Sequence, residues 1–259
     1  MKFAITAIFA AALSFISAPP AAADGHGSAL NEILDSGVLK VGTTGDWNPM
    51  SLRDPATNSY KGFDIDIMKE LASDLGVELE FVPTDWKTLV NGVVAGKYHL
   101  TGSASISPAR MKVAGFSESY ISVEIYPFSA GDAADKFDGW DSINQPGVKV
   151  ATTLGTTFEA NARKWFPNAE ITVVEAPARG YQEVLAGRAD VFITSNIEGA
   201  TLAEKFGVAR VKNTEARSPA PIAMLMPQTD QVWINYVNNW VKIKKLQGFF
   251  EATRAKWGI

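Results

Sequence analysis

Apolar residues along this chain follow two periods, and each change of period marks an element. Ile67, Met68, Leu71, Ala72 and Leu75 recur at helical spacing, with Gly62 to open the helix and Gly76 to close it. Residues 77–82 (VELEFV) alternate as a half-buried strand does. Residues 38–42 and 99–102 read as further strands, and residues 30–35 as a short helix ending at Gly37. Residues 86–95 read as an amphipathic helix stopped at Gly96, while 43–59 read as a polar loop with aromatic interruptions. The order is β-α-β-α-β, the signature of a sheet covered by helices.

The same rhythm restarts further on. Residues 148–151, 170–174 and 190–194 read as strands, and 156–165 and 181–186 as the helices between them. Only the element order repeats; the residues do not. Between the two units, 120–130 is extended and rich in β-branched and aromatic side chains. Residues 220–226 form another apolar strand, and 231–245 and 248–257 two terminal helices. The simplest topology is two α/β lobes joined by crossing segments near 121–130 and 217–226. Lobe 1 is then 24–124 with 217–259, and lobe 2 is 125–216. Ligands of open α/β sheets sit beyond the carboxyl ends of the strands, so two such lobes facing each other predict a ligand cleft between them.

The amino terminus has a different character. Met1-Lys2 is positive, residues 3–17 are mostly apolar, and Ala18-Pro-Pro-Ala-Ala-Ala23 supplies helix breakers and small residues. This predicts a secretory signal peptide over 1–23, cleaved after Ala23, and a periplasmic chain. The apolar run falls short of the roughly 20 residues a spanning helix needs. The 259 residues contain no Cys, so an exported fold would rest on its core and not on disulfides. Cys-based metal sites, iron–sulfur clusters and thiol nucleophiles are excluded with it. His26 and His99 are the two histidines, too few for a His-rich metal site, and no metal or cofactor is expected. A net charge of −4 argues against a nucleic-acid partner.

Four ordered motifs carry a resemblance. They are Gly62-Phe-Asp-Ile-Asp, Ser105-Ile-Ser-Pro-Ala-Arg110 followed by Phe116-Ser-Glu-Ser-Tyr120, Leu154-Gly-Thr-Thr-Phe-Glu159, and Gly187-Arg-Ala-Asp-Val191. Together they resemble family 3 of the extracellular solute-binding proteins, the receptors of amino-acid-type ABC importers. The resemblance implies a two-lobed, type II periplasmic-binding-protein-like fold. It also implies a small carboxylate-bearing ligand, a monomeric receptor and an ABC permease in the inner membrane as partner. A second resemblance, through residues 43–49, 83–86, 145–147 and Ile197-Glu198, is to periplasmic cyclohexadienyl dehydratases on the same fold. Fold does not fix function, so the site must decide.

The first resemblance implies that Arg110 grips the ligand carboxylate, a task suited to the planar fork of a guanidinium. Ser103 and Ser105, with Thr156 and Thr157, are expected to complete an anion nest, the two threonines also serving to cap a helix. Trp47 and Trp86 match pocket-lining positions, where indoles suit a flat, ringed or cationic ligand. Ser195 stands where the family's amino-acid receptors usually carry Asp. A hydroxyl cannot neutralise a buried ammonium. Either another carboxylate, Asp46 or Glu159, takes that role, or the ligand is not an ordinary α-amino acid. Under the dehydratase alternative, Glu159 would be the general acid, which needs an apolar setting to keep its proton.

Overall fold

The computed structural model describes residues 27–259. The expected signal peptide, residues 1–23, lies outside the described residues, as does His26. No helix among the described residues is long and apolar enough to cross a membrane.

The strands that carry the architecture are β1 (Val38–Thr43), β2 (Glu78–Pro83), β3 (Leu100–Ser105), β4 (Ile121–Ala130), β5 (Lys149–Thr153), β6 (Glu170–Val174), β7 (Val191–Ser195) and β8 (Arg217–Met226). They hydrogen-bond in the order β6-β5-β7-β4-β8-β3-β1-β2. Each end of that order is parallel: β1 lies between β2 and β3, and β5 between β6 and β7. Parallel neighbours need helical crossovers. After α1 (Ala29–Ser36), which precedes β1, these are α2 (Phe63–Leu75) and α3 (Leu89–Val94) at one end, α5 (Thr157–Trp165) and α6 (Gly180–Leu185) at the other. In the middle, β4 and β8 run antiparallel and pair with each other from Ile121↔Ile222 to Ile125↔Arg217. They are the two crossing segments.

Burial divides the molecule into two packed bodies along β4. Ile121 and Val123 pack with Phe63, Met68, Trp233 and Phe250 in one core, to which the terminal helices α8 (Gln231–Leu246) and α9 (Phe249–Trp257) return. Two residues later, Ile125 packs with Val150, Phe166 and Val191 in the second body, whose other cluster holds Phe128 with Phe192 and Leu202. Strand alternation places Ile121, Val123 and Ile125 on one face, so the chain passes from one core to the next within a single strand. The fold is the two-lobed α/β architecture expected.

Several local elements differ from expectation. The 43–59 loop contributes Asp46–Trp47 and Ser51–Arg53 to a small antiparallel sheet with Tyr60–Lys61. Helical turns too short to show a period stayed hidden, among them α4 (Pro108–Met111). The 86–95 helix shrinks to Leu89–Val94, because Asp85 takes the amide and hydroxyl of Thr88 in a local turn. A full helix, α7 (Asn196–Phe206), follows β7, in a stretch for which the sequence pattern predicted no element.

Candidate functional site

The loops beyond the strand ends meet in one cleft. The first lobe lines it with Trp47, Trp86, Ser103, Ser105 and Arg110; the second with Thr156, Thr157, Phe158 and Arg179. The space between these walls, including its mouth to solvent, is about 280 Å³.

Arg110 reaches it from α4. Ser107 caps that turn by accepting the Arg110 amide, and Pro108 pre-sets the first helical position. Arg110 is 9% exposed, and its guanidinium donates to two carbonyls, Ser105 O at 3.1 Å and Gly155 O at 3.4 Å. No carboxylate pairs with it among the described residues. Burial pushes its pKa down to about 10. A buried cation with carbonyl partners alone is held at a cost that an anionic ligand would offset.

Ser103 adopts a left-handed backbone, φ 58°. Its amide donates to the Tyr120 hydroxyl at 2.9 Å, and that hydroxyl donates to Asp64 at 2.7 Å. The Ser103 hydroxyl and the Trp47 indole N–H are buried with no partner. Two polar groups left unpaired in one cleft point to atoms that a ligand supplies. Burial pushes the Asp64 carboxyl up to about 7, against the Tyr120 hydrogen bond.

The second lobe adds a helix terminus. Thr156 caps α5, accepting the Glu159 amide at 3.2 Å, and the Thr157 hydroxyl sits 3.4 Å from that of Ser105 across the cleft. Gly155 makes this approach possible. A Cβ there would lie 2.6 Å from the backbone of Lys87 on the other lobe, and its φ of 77° disfavours a side chain as well.

Trp47 and Trp86 meet edge to face at 6.0 Å, and with Phe158 they make the apolar wall. Trp86 is fixed by its N–H, which both Asp46 oxygens accept at 2.9 and 3.1 Å. Asp46 also accepts Arg179 at 3.3 Å, and Arg179 donates twice to Glu198, at 2.9 and 2.8 Å. Glu198 further accepts the Thr194 hydroxyl.

Seven of the expected residues thus line the cleft, and three do not. Asp46 lies behind Trp86, held by Arg179. Ser195 is fully buried and caps α7, accepting the Glu198 amide at 3.1 Å. Glu159 lines an adjoining groove that shares Trp86, Arg110, Thr156 and Thr157 with the cleft; there it accepts the Gly155 amide and pairs with Arg163 at 3.1 Å. Arg179 is the lining residue that the sequence did not single out: it lies in a run of no regular period, 175–180. Glu198 stood in a motif without a role. The shared spacing Thr156-x-x-Glu159 and Ser195-x-x-Glu198 was the available signal, since both read as helix caps.

Residues 39–259 match the bacterial extracellular solute-binding proteins, family 3, and the chain belongs to that family. Among curated relatives, the cyclohexadienyl dehydratase of Pseudomonas aeruginosa is 32% identical over 233 residues, covering 89% of this chain and 86% of that protein. The L-cystine-binding protein TcyJ of Escherichia coli K12 is 23% identical over 229 residues, covering 88% and 85%. Among solved structures, the ancestral amino acid-binding protein AncCDT-1, a precursor of cyclohexadienyl dehydratase, superposes with a TM-score of 0.83 at 37% identity, covering 89% of this chain and 99% of that one.

Proposed function

We propose that this chain is the periplasmic receptor of an ABC-type importer. It takes a small carboxylate-bearing ligand into the cleft, closes around it by hinge motion about β4 and β8, and docks in that form on an inner-membrane permease. The lobes divide at 124/125 and 216/217. Family members bind small solutes, and relatives of this chain are named for cystine and glutamine.

One observation carries the reading: the Arg110 guanidinium is buried at the cleft with carbonyl partners alone. The unpartnered Ser103 hydroxyl and Trp47 N–H stand beside it, and the α5 terminus adds its partial positive charge from the other lobe. Thermal-shift screening of amino acids, 2-oxo acids, 2-hydroxy acids and prephenate tests it. A ligand at 100 times its Kd adds about 2.7 kcal/mol, roughly 5–10 °C for a chain of this size. No shift with any carboxylate would count against the receptor.

The dehydratase relative supports a second reading, in which the cleft converts prephenate or arogenate. That chemistry needs a proton donor facing the leaving hydroxyl. The lining holds hydroxyls, indoles, a phenyl ring and two guanidiniums but no carboxylate, and Glu159, in the adjoining groove, is tied to the Gly155 amide and to Arg163. The receptor reading is therefore preferred. Phenylpyruvate absorbance after adding prephenate decides between them. Turnover above buffer would favour the enzyme.

A further inference from the structure

Two carboxylates stand behind the cleft wall, and the chain itself occupies both. Arg179 donates to both oxygens of Glu198 and crosses to Asp46 on the other lobe at 3.3 Å. Asp46 also accepts the Trp86 N–H on both oxygens, and Glu198 accepts the Thr194 hydroxyl. Neither carboxylate is among the lining residues, so neither offers an oxygen to a ligand. Ser195 brings no charge, and its hydroxyl is spent on the helix cap.

A guanidinium held between two carboxylates near an indole is what a cation pocket offers its cargo. Here the cation is a side chain of the protein, nine-tenths or more buried. A ligand ammonium or guanidinium would enter a lining with two guanidiniums and no carboxylate, and would lose its hydration without gaining a counter-charge. A carboxylate with an apolar body meets Arg110 at one end and Trp47, Trp86 and Phe158 along its length.

We propose that Arg179 is the specificity-determining residue of the cleft: it fills the cation subsite formed by Asp46 and Glu198. The ligand is thereby restricted to a carboxylate without a cationic group, of the 2-oxo or 2-hydroxy acid class. This rests on the reading of the cleft as a solute site anchored on Arg110.

Calorimetric titration of the exported chain tests it with matched pairs: phenylpyruvate and L-phenylalanine, 2-oxoisocaproate and L-leucine, 2-oxoglutarate and L-glutamate, with L-arginine added as a cationic probe. The expected result is an oxo acid that binds at least about tenfold tighter than its amino acid. L-Arginine should give no heat at millimolar concentration. The Arg179→Met variant, checked for folding by circular dichroism, should gain at least about tenfold in affinity for L-arginine, because Asp46 and Glu198 are then released. An amino acid that matches its oxo acid, binding of L-arginine by the wild type, or a folded variant with no gain would each overturn the proposal. If the variant does not fold, the wild-type pairs still decide.

The two levels fail differently. An amino acid whose binding is lost in Arg110→Ala would overturn the role of Arg179 and leave the receptor standing. Binding unaffected by Arg110→Ala would remove the receptor site itself.

Discussion

At the scale of single residues, the cleft is defined by what its polar groups lack. Arg110 has carbonyls and no carboxylate, and Ser103 and Trp47 have no partner. Asp64 accepts from Tyr120 through one oxygen while the other is buried without a partner, and burial holds its proton to about pH 7. In the unfolded chain the same carboxyl would release its proton near 3.8. The folded state therefore binds more protons between these values, and stability falls as pH rises through that window. Replacing Asp64 by Asn removes this dependence while leaving an oxygen for Tyr120. Asp64→Asn should be near neutral at pH 4 and stabilising relative to wild type above pH 7, as thermal unfolding across that range would show. An offset independent of pH would contradict the assignment.

At this scale the sequence revealed residue types better than orientation. Arg110, the tryptophans and the Ser/Thr set stood at motif positions of the resembled family, and the fold brings them to one cleft. Arg179 was not, because its partners Asp46 and Glu198 lie 133 and 19 residues away and only folding brings them together.

At the scale of elements, periodicity exposed the long helices and buried strands, and composition exposed their ends. Missed elements were those shaped by a cap or by pairing across a few residues, as in the small 46–61 sheet. α7 is the instructive case. Its Ser195 looked like a ligand contact by position, yet the hydroxyl caps the helix and is fully buried. Ser195→Ala should therefore cost about 1 kcal/mol of stability, the ordinary price of a lost cap. Chemical denaturation would measure that, and ligand affinity should stay within about threefold of wild type. A large loss of affinity at unchanged stability would restore Ser195 to the site.

At the scale of the whole molecule, two packed bodies share β4 and β8, and the two lobes touch where Gly155 meets Lys87. The two-lobed plan was legible from the repeated β-α-β order and the two crossing segments, which need only coarse patterning. The fit of one lobe on the other was not, because it depends on backbone approach at a single glycine. Gly155→Val would press a side chain on the Lys87 backbone, in a conformation that a β-branched residue resists. The lobes should then stay apart. Small-angle scattering should lose the ligand-induced compaction, and affinity should fall by at least about tenfold. Normal compaction with ligand would show that closure does not use this contact.

The central claim is that the buried Arg110 guanidinium receives the carboxylate of a small ligand between the lobes. Calorimetric titration of wild type and Arg110→Ala with whichever carboxylate the thermal screen identifies tests it most directly. The expected outcome is loss of measurable binding in the variant, with a melting temperature close to that of wild type, because the cation removed has no counter-charge in the fold. Unchanged affinity in Arg110→Ala would contradict the claim.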